Sequence, residues 1–100
     1  MTYILEVVYR QLSYKPKTSR QIAAETGLKD VEIRNAIRQL RFDGYKICSG
    51  SKGFWFWNGE DDTWHHTLNH IKSRAMAELE LYSAMAKQPI EGQINWDLSF

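Results

Sequence analysis

The chain has 100 residues, 43% of them hydrophobic and 25% charged, and a formal net charge of +1. That size holds one domain with a modest core, burying about 60 to 65% of the unfolded chain's surface, and argues against a second independent domain. The near-neutral total does not exclude nucleic acid: residues 1–57 carry ten Lys or Arg against five Asp or Glu, net +5, and residues 58–100 carry three against seven, net −4, and a phosphate surface responds to the local field.

From Thr2 to Leu12, Ile4, Leu5, Val8 and Leu12 fall at helical spacing. The Tyr-Ile-Leu and Val-Val-Tyr content also suits a strand, but the elements that follow need a first helix to close their core. Ser13 to Lys17, with Pro16, reads as a basic connector. Thr18 opens a second helix, since its hydroxyl can accept from the backbone while Gln21 reaches back, a capping-box spacing. Ile22 and Ala23 give that helix its buried side, and Thr26-Gly27 ends it with a left-handed turn at the glycine.

A third helix, from about Asp30 to Arg41, buries Ile33, Ile37 and Leu40 and stops at Asp43-Gly44. Tyr45 to Cys48, a Gly/Ser-rich turn from Ser49 to Gly53, and Phe54 to Trp57 read as two strands joined by a short loop, a wing. Cys48, the only cysteine, excludes an intramolecular disulfide, makes a reducing compartment the simpler expectation and is assigned to packing. Alternation puts Phe54 and Phe56 on one face of the return strand and Trp55 and Trp57 on the other. One face completes the helical core. The tryptophan face needs cover from outside it, and the next helix is the nearest candidate.

Two short helices, a tight turn and a hairpin in this order spell a winged helix-turn-helix. With Gly27-Leu28, the phased Ile33, Ile37 and Leu40, Arg41, the Gly44 stop and the Lys52-Gly53-aromatic return strand, the first 57 residues resemble the N-terminal DNA-binding domain of the biotin repressor and small winged-helix proteins of bacteriophages and other mobile elements. Two features depart from the pattern. Lys29 stands where the family more often has a capping Ser or Thr, and nothing resembles an attached enzyme domain. The resemblance implies an α+β, mostly α, winged helix-turn-helix fold and double-stranded DNA as partner. It also implies a role in transcription regulation or in DNA replication or excision, in the cytoplasm of a bacterial cell or phage-infected host.

Residues 58–62, Asn-Gly-Glu-Asp-Asp, read as a linker whose Asp61 and Asp62 can cap the next helix and complement its dipole. That helix, residues 63–87, carries Trp64, Leu68, Ile71, Ala75, Leu79, Tyr82 and Ala86 in one stripe at about 100° per residue, and Met76 and Met85 read as further packing. From Trp64 to Ala86 it measures about 33 Å, against a diameter of about 27 Å for a body of 57 residues. It should overhang its own domain, so a homodimer is expected through Trp64, Leu68, Ile71, Ala75, Leu79 and Tyr82. Pro89 forbids continuation. In the tail, residues 88–100, Ile94, Trp96, Leu98 and Phe100 alternate; it can add a strand, fold back on the helix or dock a protein partner. No apolar run follows a basic start, and none approaches the roughly 20 residues that span a bilayer, so a soluble chain with no membrane partner is expected.

The face of the third helix opposite its apolar side carries Val31, Arg34, Asn35 and Arg38, with Lys29 at its entry and Gln39 and Arg41 at its sides. Arginine can donate twice to guanine, asparagine can pair both ways with adenine, and valine can meet a thymine methyl. A merely solvated face accounts for the arginines but not for Asn35 among them. Phe42, also outward, fits neither reading. Lys52 at the wing tip suits a phosphate, and Thr18, Ser19 and Arg20 stand at a helix N-terminus that can donate to one. His66 and His70 have the i, i+4 spacing of metal ligands beside His65, but no cysteine or second ligand pair accompanies them, so they read as surface histidines, with no metal and no cofactor. There is no Gly-rich phosphate loop, no nucleophile with a partnered base and no carboxylate cluster in apolar surroundings, which argues against an enzyme. The rival reading is a protein-interaction module using the aromatic strand, the last helix and the tail.

Overall fold

The computed structural model describes residues 1–88, so Pro89 and the alternating tail positions lie outside the described residues. The elements run α1 (Tyr3–Gln11), α2 (Ser19–Thr26), α3 (Asp30–Phe42), β1 (Ile47–Gly50), β2 (Gly53–Phe56) and α4 (Thr63–Ala86). This is an α+β fold, mostly helical, with helix-turn-helix order and a hairpin wing.

The first segment is a helix, started by Thr2, whose hydroxyl accepts the Leu5 N–H at 3.3 Å. Val8 and Leu12 are buried and Ile4 and Leu5 pack partly against the same core, so the periodicity decided against the strand. In α2 the capping box is complete: Thr18 Oγ1 accepts from Gln21 N at 3.1 Å and Gln21 Oε1 accepts from Thr18 N at 2.8 Å. Gly27 closes α2 at φ +75°. Lys29, with no side-chain acceptor, cannot cap α3 itself, and Glu32 compensates by accepting the Lys29 N–H at 2.9 Å.

The end of α3 explains why the hairpin begins later than its sequence pattern suggests. Gly44, at φ +105°, donates to Arg41 O at 3.1 Å, and Tyr45 N donates to Leu40 O at 3.1 Å, the paired bonds of a Schellman stop. That stop uses Tyr45, so β1 starts at Ile47 rather than Tyr45. The strands pair antiparallel, with Ile47 opposite Phe56 and Gly50 opposite Gly53, and the expected turn of residues 49–53 narrows to Ser51 and Lys52. Ile22, Ile33, Ile37, Leu40 and Ile47 join Val8 in the fully buried core, with Phe54 and Phe56 packed against it.

The basic connector bridges to the edge of the two-stranded sheet. Lys17 N donates to Phe54 O at 3.0 Å, Phe54 N to Lys17 O at 2.9 Å, and Phe56 N to Ser13 O at 2.8 Å, so residues 13–17 pair along the outer edge of β2.

The chain divides into two units, Met1–Asn69 and His70 onward. In the first, residues 58–62 form a hydrogen-bonded turn: Asn58 Oδ1 accepts from the N–H groups of Glu60 and Asp61 at 2.8 and 3.1 Å. Asp61 then accepts the Thr63 N–H at 3.1 Å and its hydroxyl at 2.6 Å, and these bonds, the Thr63 hydroxyl first, hold its carboxyl below the usual aspartate range. Trp57 stacks on Trp64 with centroids 6.5 Å apart, so the start of α4 covers that tryptophan as expected. In the second unit the described residues continue α4, and Met76 and Met85 are exposed there, which corrects their assignment to packing. No described helix is long and apolar enough to cross a membrane.

Gly53 sits at φ +116°, and a Cβ there would lie 2.3 Å from Lys17 C and O and 2.6 Å from Thr18 N. Gly53→Ala is therefore expected to destabilise the fold by at least about 2 kcal/mol, through strain and displaced backbone. Urea unfolding of the variant beside the parent chain measures it, and a loss under half that size would contradict the close approach.

Candidate nucleic-acid interface

The outer face of α3 is built by the same periodicity that buries Ile33, Ile37 and Leu40: Val31, Arg34, Asn35 and Arg38 all emerge exposed, Val31 at 60%. Two of its cations are already engaged. Arg34 Nε donates to Asp30 Oδ2 at 2.7 Å, both side chains about 60% exposed, and the Arg38 guanidinium lies 5.1 Å from the centre of the Phe42 ring. Phe42, 71% exposed, so serves as a platform for Arg38. Asn35 and Val31 remain exposed beside them.

Arg41, expected at the side of this face, is turned inward. Its Nε and Nη2 donate to Ile47 O at 3.0 and 2.8 Å, and Nη2 also to Ser49 Oγ at 3.1 Å. Burial lowers its pKa from the ordinary value, yet a guanidinium stays protonated at neutral pH. Arg41 ties α3 to β1 and is not a candidate contact. Nothing in its spacing told it apart from Arg38; the signal was only its place in the last turn of a helix followed by a strand.

The start of α2 lies beside the wing, because Gly53 touches the Lys17–Thr18 peptide. Thr18 Oγ1 is occupied by its capping bond, Arg20 is exposed, and Lys52 stands exposed in the two-residue turn. Lys29 is exposed at the entry to α3. Ser19 is half-buried, and its hydroxyl is the first influence that lowers the Asp30 carboxyl's pKa. The start of α2 and the wing turn thus share neighbouring backbone, while Asn35 and Arg38 lie further along α3.

Two threonines missed by the pattern of apolar residues dock α4. Thr67 is buried and accepts the Ser49 N–H at 3.1 Å. Thr63 Oγ1 gives its proton to Asp61, so at 3.3 Å from Cys48 Sγ it accepts the thiol proton. The spacing i, i+4 was the available signal. Of the expected dimerisation stripe, Trp64 is half-buried on Trp57, Ala75 is exposed, and Leu68, Ile71, Leu79 and Tyr82 are 44 to 68% exposed. His66 pairs with Asp62 at 3.1 Å, and among the described residues no three His, Cys, Asp or Glu side chains gather to hold a metal ion. Comparisons with protein-family models, curated proteins and solved structures find no match to this chain.

The Asp30 carboxyl is held below the ordinary aspartate pKa, first by the Ser19 hydroxyl and then by Arg34. A lowered folded-state pKa means that this stabilisation is present above the ordinary aspartate value and is lost as pH falls through the lowered one. NMR titration of the Asp30 carboxyl carbon should find it low in the parent chain and raised toward normal by Ser19→Ala, more than by Arg34→Ala. An unchanged midpoint in Ser19→Ala would remove the α2–α3 link.

Proposed function

We propose that the chain is a sequence-preferring double-stranded DNA-binding protein of phage or bacterial type, a winged-helix relative of the biotin repressor's N-terminal domain. In this reading it acts in the cytoplasm in transcription regulation or in DNA replication or excision. The supporting observation is the exposed Val31, Asn35 and Arg38 on α3, opposite its buried side, in a helix-turn-helix followed by a wing tipped by Lys52. Arg38 and Asn35 read guanine and adenine edges, and Val31 meets a thymine methyl. Lys52, Arg20 and Lys29 meet phosphates, the Ser19 hydroxyl can add to them, and the first N–H groups of α2 assist where the Thr18 hydroxyl is already bonded. Arg34 can leave Asp30 readily, since both side chains are about 60% exposed and solvent screens the pair.

Duplex binding across a salt series, with sequence selection on the same protein, tests this reading. Arg38→Ala should weaken the preferred site by about 1 to 3 kcal/mol and relax one base position. Lys52→Ala should weaken all sequences alike and lower the salt slope by about one. Absence of binding at low salt transfers the function to protein docking, through the aromatic strand, α4 and the tail.

The exposed stripe of α4 supports a homodimer, which presents two recognition helices and favours inverted-repeat DNA where they lie about one helical turn, roughly 34 Å, apart. Leu79→Asp should place an uncompensated charge in that seam, separate the subunits and lower DNA affinity without unfolding the winged helix. Sedimentation at micromolar concentration reads the outcome, and a monomeric parent chain would leave single half-site recognition.

A further inference from the structure

The α4 stripe repeats at eleven residues: Trp64, Ala75 and Ala86 share one position, Leu68 and Leu79 a second, Ile71 and Tyr82 a third. The same stripe is a palindrome about Ala75. Reversing a second copy about that residue sets Leu68 against the partner's Tyr82, Ile71 against the partner's Leu79 and the bulky Trp64 against the small Ala86 of the partner subunit. Ala75 meets its own copy at the axis, where a methyl side chain allows the closest approach of two helices.

Charge distinguishes this arrangement from a parallel one. Lys72 and Arg74 precede Ala75, and Glu78 and Glu80 follow it. Parallel helices set cations beside cations and carboxylates beside carboxylates; reversed helices set each block beside its opposite. Arg74 and Glu78 lie on one flank of the stripe, about 100° and 60° from its centre, and a two-fold axis keeps like flanks together, so Arg74 falls beside the partner's Glu78 on both copies. The stripe has area to bury, with Leu68, Ile71, Leu79 and Tyr82 at 44, 44, 55 and 68% exposure.

We propose that α4 pairs antiparallel with α4 of a second copy, about a two-fold axis through Ala75. This rests on the self-association just proposed and gives it a direction and register. Cysteine cross-linking of the full chain, carrying Cys48→Ser to remove the native thiol, tests both parts. Ala75→Cys should form a covalent dimer on mild oxidation, whatever the orientation. Leu68→Cys and Tyr82→Cys, mixed under reducing conditions and then oxidised, should give the heterodimer as the main product. Neither should self-link, because reversed about Ala75 each residue stands about 21 Å along the axis from its own copy, beyond the roughly 7 Å a disulfide tolerates. Self-linking of Leu68→Cys as fast as the mixture would establish parallel helices and overturn the proposal. No covalent dimer from Ala75→Cys or the mixture, with a monomer in sedimentation, would overturn it through the association itself. Duplex binding by the same proteins reports independently on the DNA-binding reading.

Discussion

The backbone of Gly53 rests on the backbone of Lys17 and Thr18 with no room for a side chain between them, and the placement of the wing follows from that contact. An isolated two-stranded hairpin is marginal in water. Here β2 gains a second pairing edge from the residues before α2, through the bonds Lys17 and Ser13 make with Phe54 and Phe56. The strand therefore links the wing tip to the start of a helix 34 residues earlier in the chain. Any side chain at position 53 would push the wing from α2 and weaken both.

The opposite edge of the hairpin is closed by side chains. Ile47 O and Ser49 N, on the edge of β1 away from β2, are taken by Arg41 and Thr67. An uncovered strand edge is an invitation to pair with another chain, and these two polar groups remove it while fixing where α3 and the first turns of α4 sit. The faces are covered as well: the neighbours Ile47 and Cys48 are both fully buried, which in a strand requires cover on both sides. Ile47 joins the helical core and Cys48 meets Thr63. A core this small contributes limited apolar area, so directional bonds carry much of the orientation.

The sequence alone made the helices, their caps and the core legible, because each leaves a short-range signal. Val8, Ile22, Ile33, Ile37 and Leu40 were readable from spacing, Thr18 and Gln21 from capping chemistry, and Gly27 and Gly44 from the left-handed turns they make. What stayed hidden depends on partners distant in the chain. The strand register shifted because Tyr45 was taken by the stop of α3. Arg41 looked like Arg34 and Arg38 until β1 arrived beneath it, and Thr63 and Thr67 looked like ordinary polar positions on a helix whose apolar stripe drew attention elsewhere. For the candidate DNA face, exposure was legible in advance and engagement was not: the pairing of Arg34 with Asp30 follows i, i+4 geometry, but the influence of Ser19 on the Asp30 carboxyl reaches from α2 to α3.

That engagement changes how the charge asymmetry should be weighed. The net +5 of residues 1–57 treats every cation alike, yet Arg10, Lys17 and Arg34 are paired with Glu6, Glu25 and Asp30, and Arg41 is bound to backbone. Among the described residues Lys15, Arg20, Lys29, Arg38, Lys46 and Lys52 form no salt bridge; Arg20, Lys29, Arg38 and Lys52 belong to the start of α2, α3 and the wing, while Lys15 lies in the connector and Lys46 lies 5.1 Å over the Trp57 ring. A paired surface cation contributes little field beyond a Debye length of about 8 Å in physiological salt. These six cations therefore dominate what an approaching polyanion meets. Arg20, Lys29 and Lys52 stand at element ends, and of the six Arg38 alone stands mid-helix beside Asn35. Under the DNA-binding proposal, attraction would fall to the cations at the element ends and base discrimination to the single turn of α3 from Asn35 to Arg38.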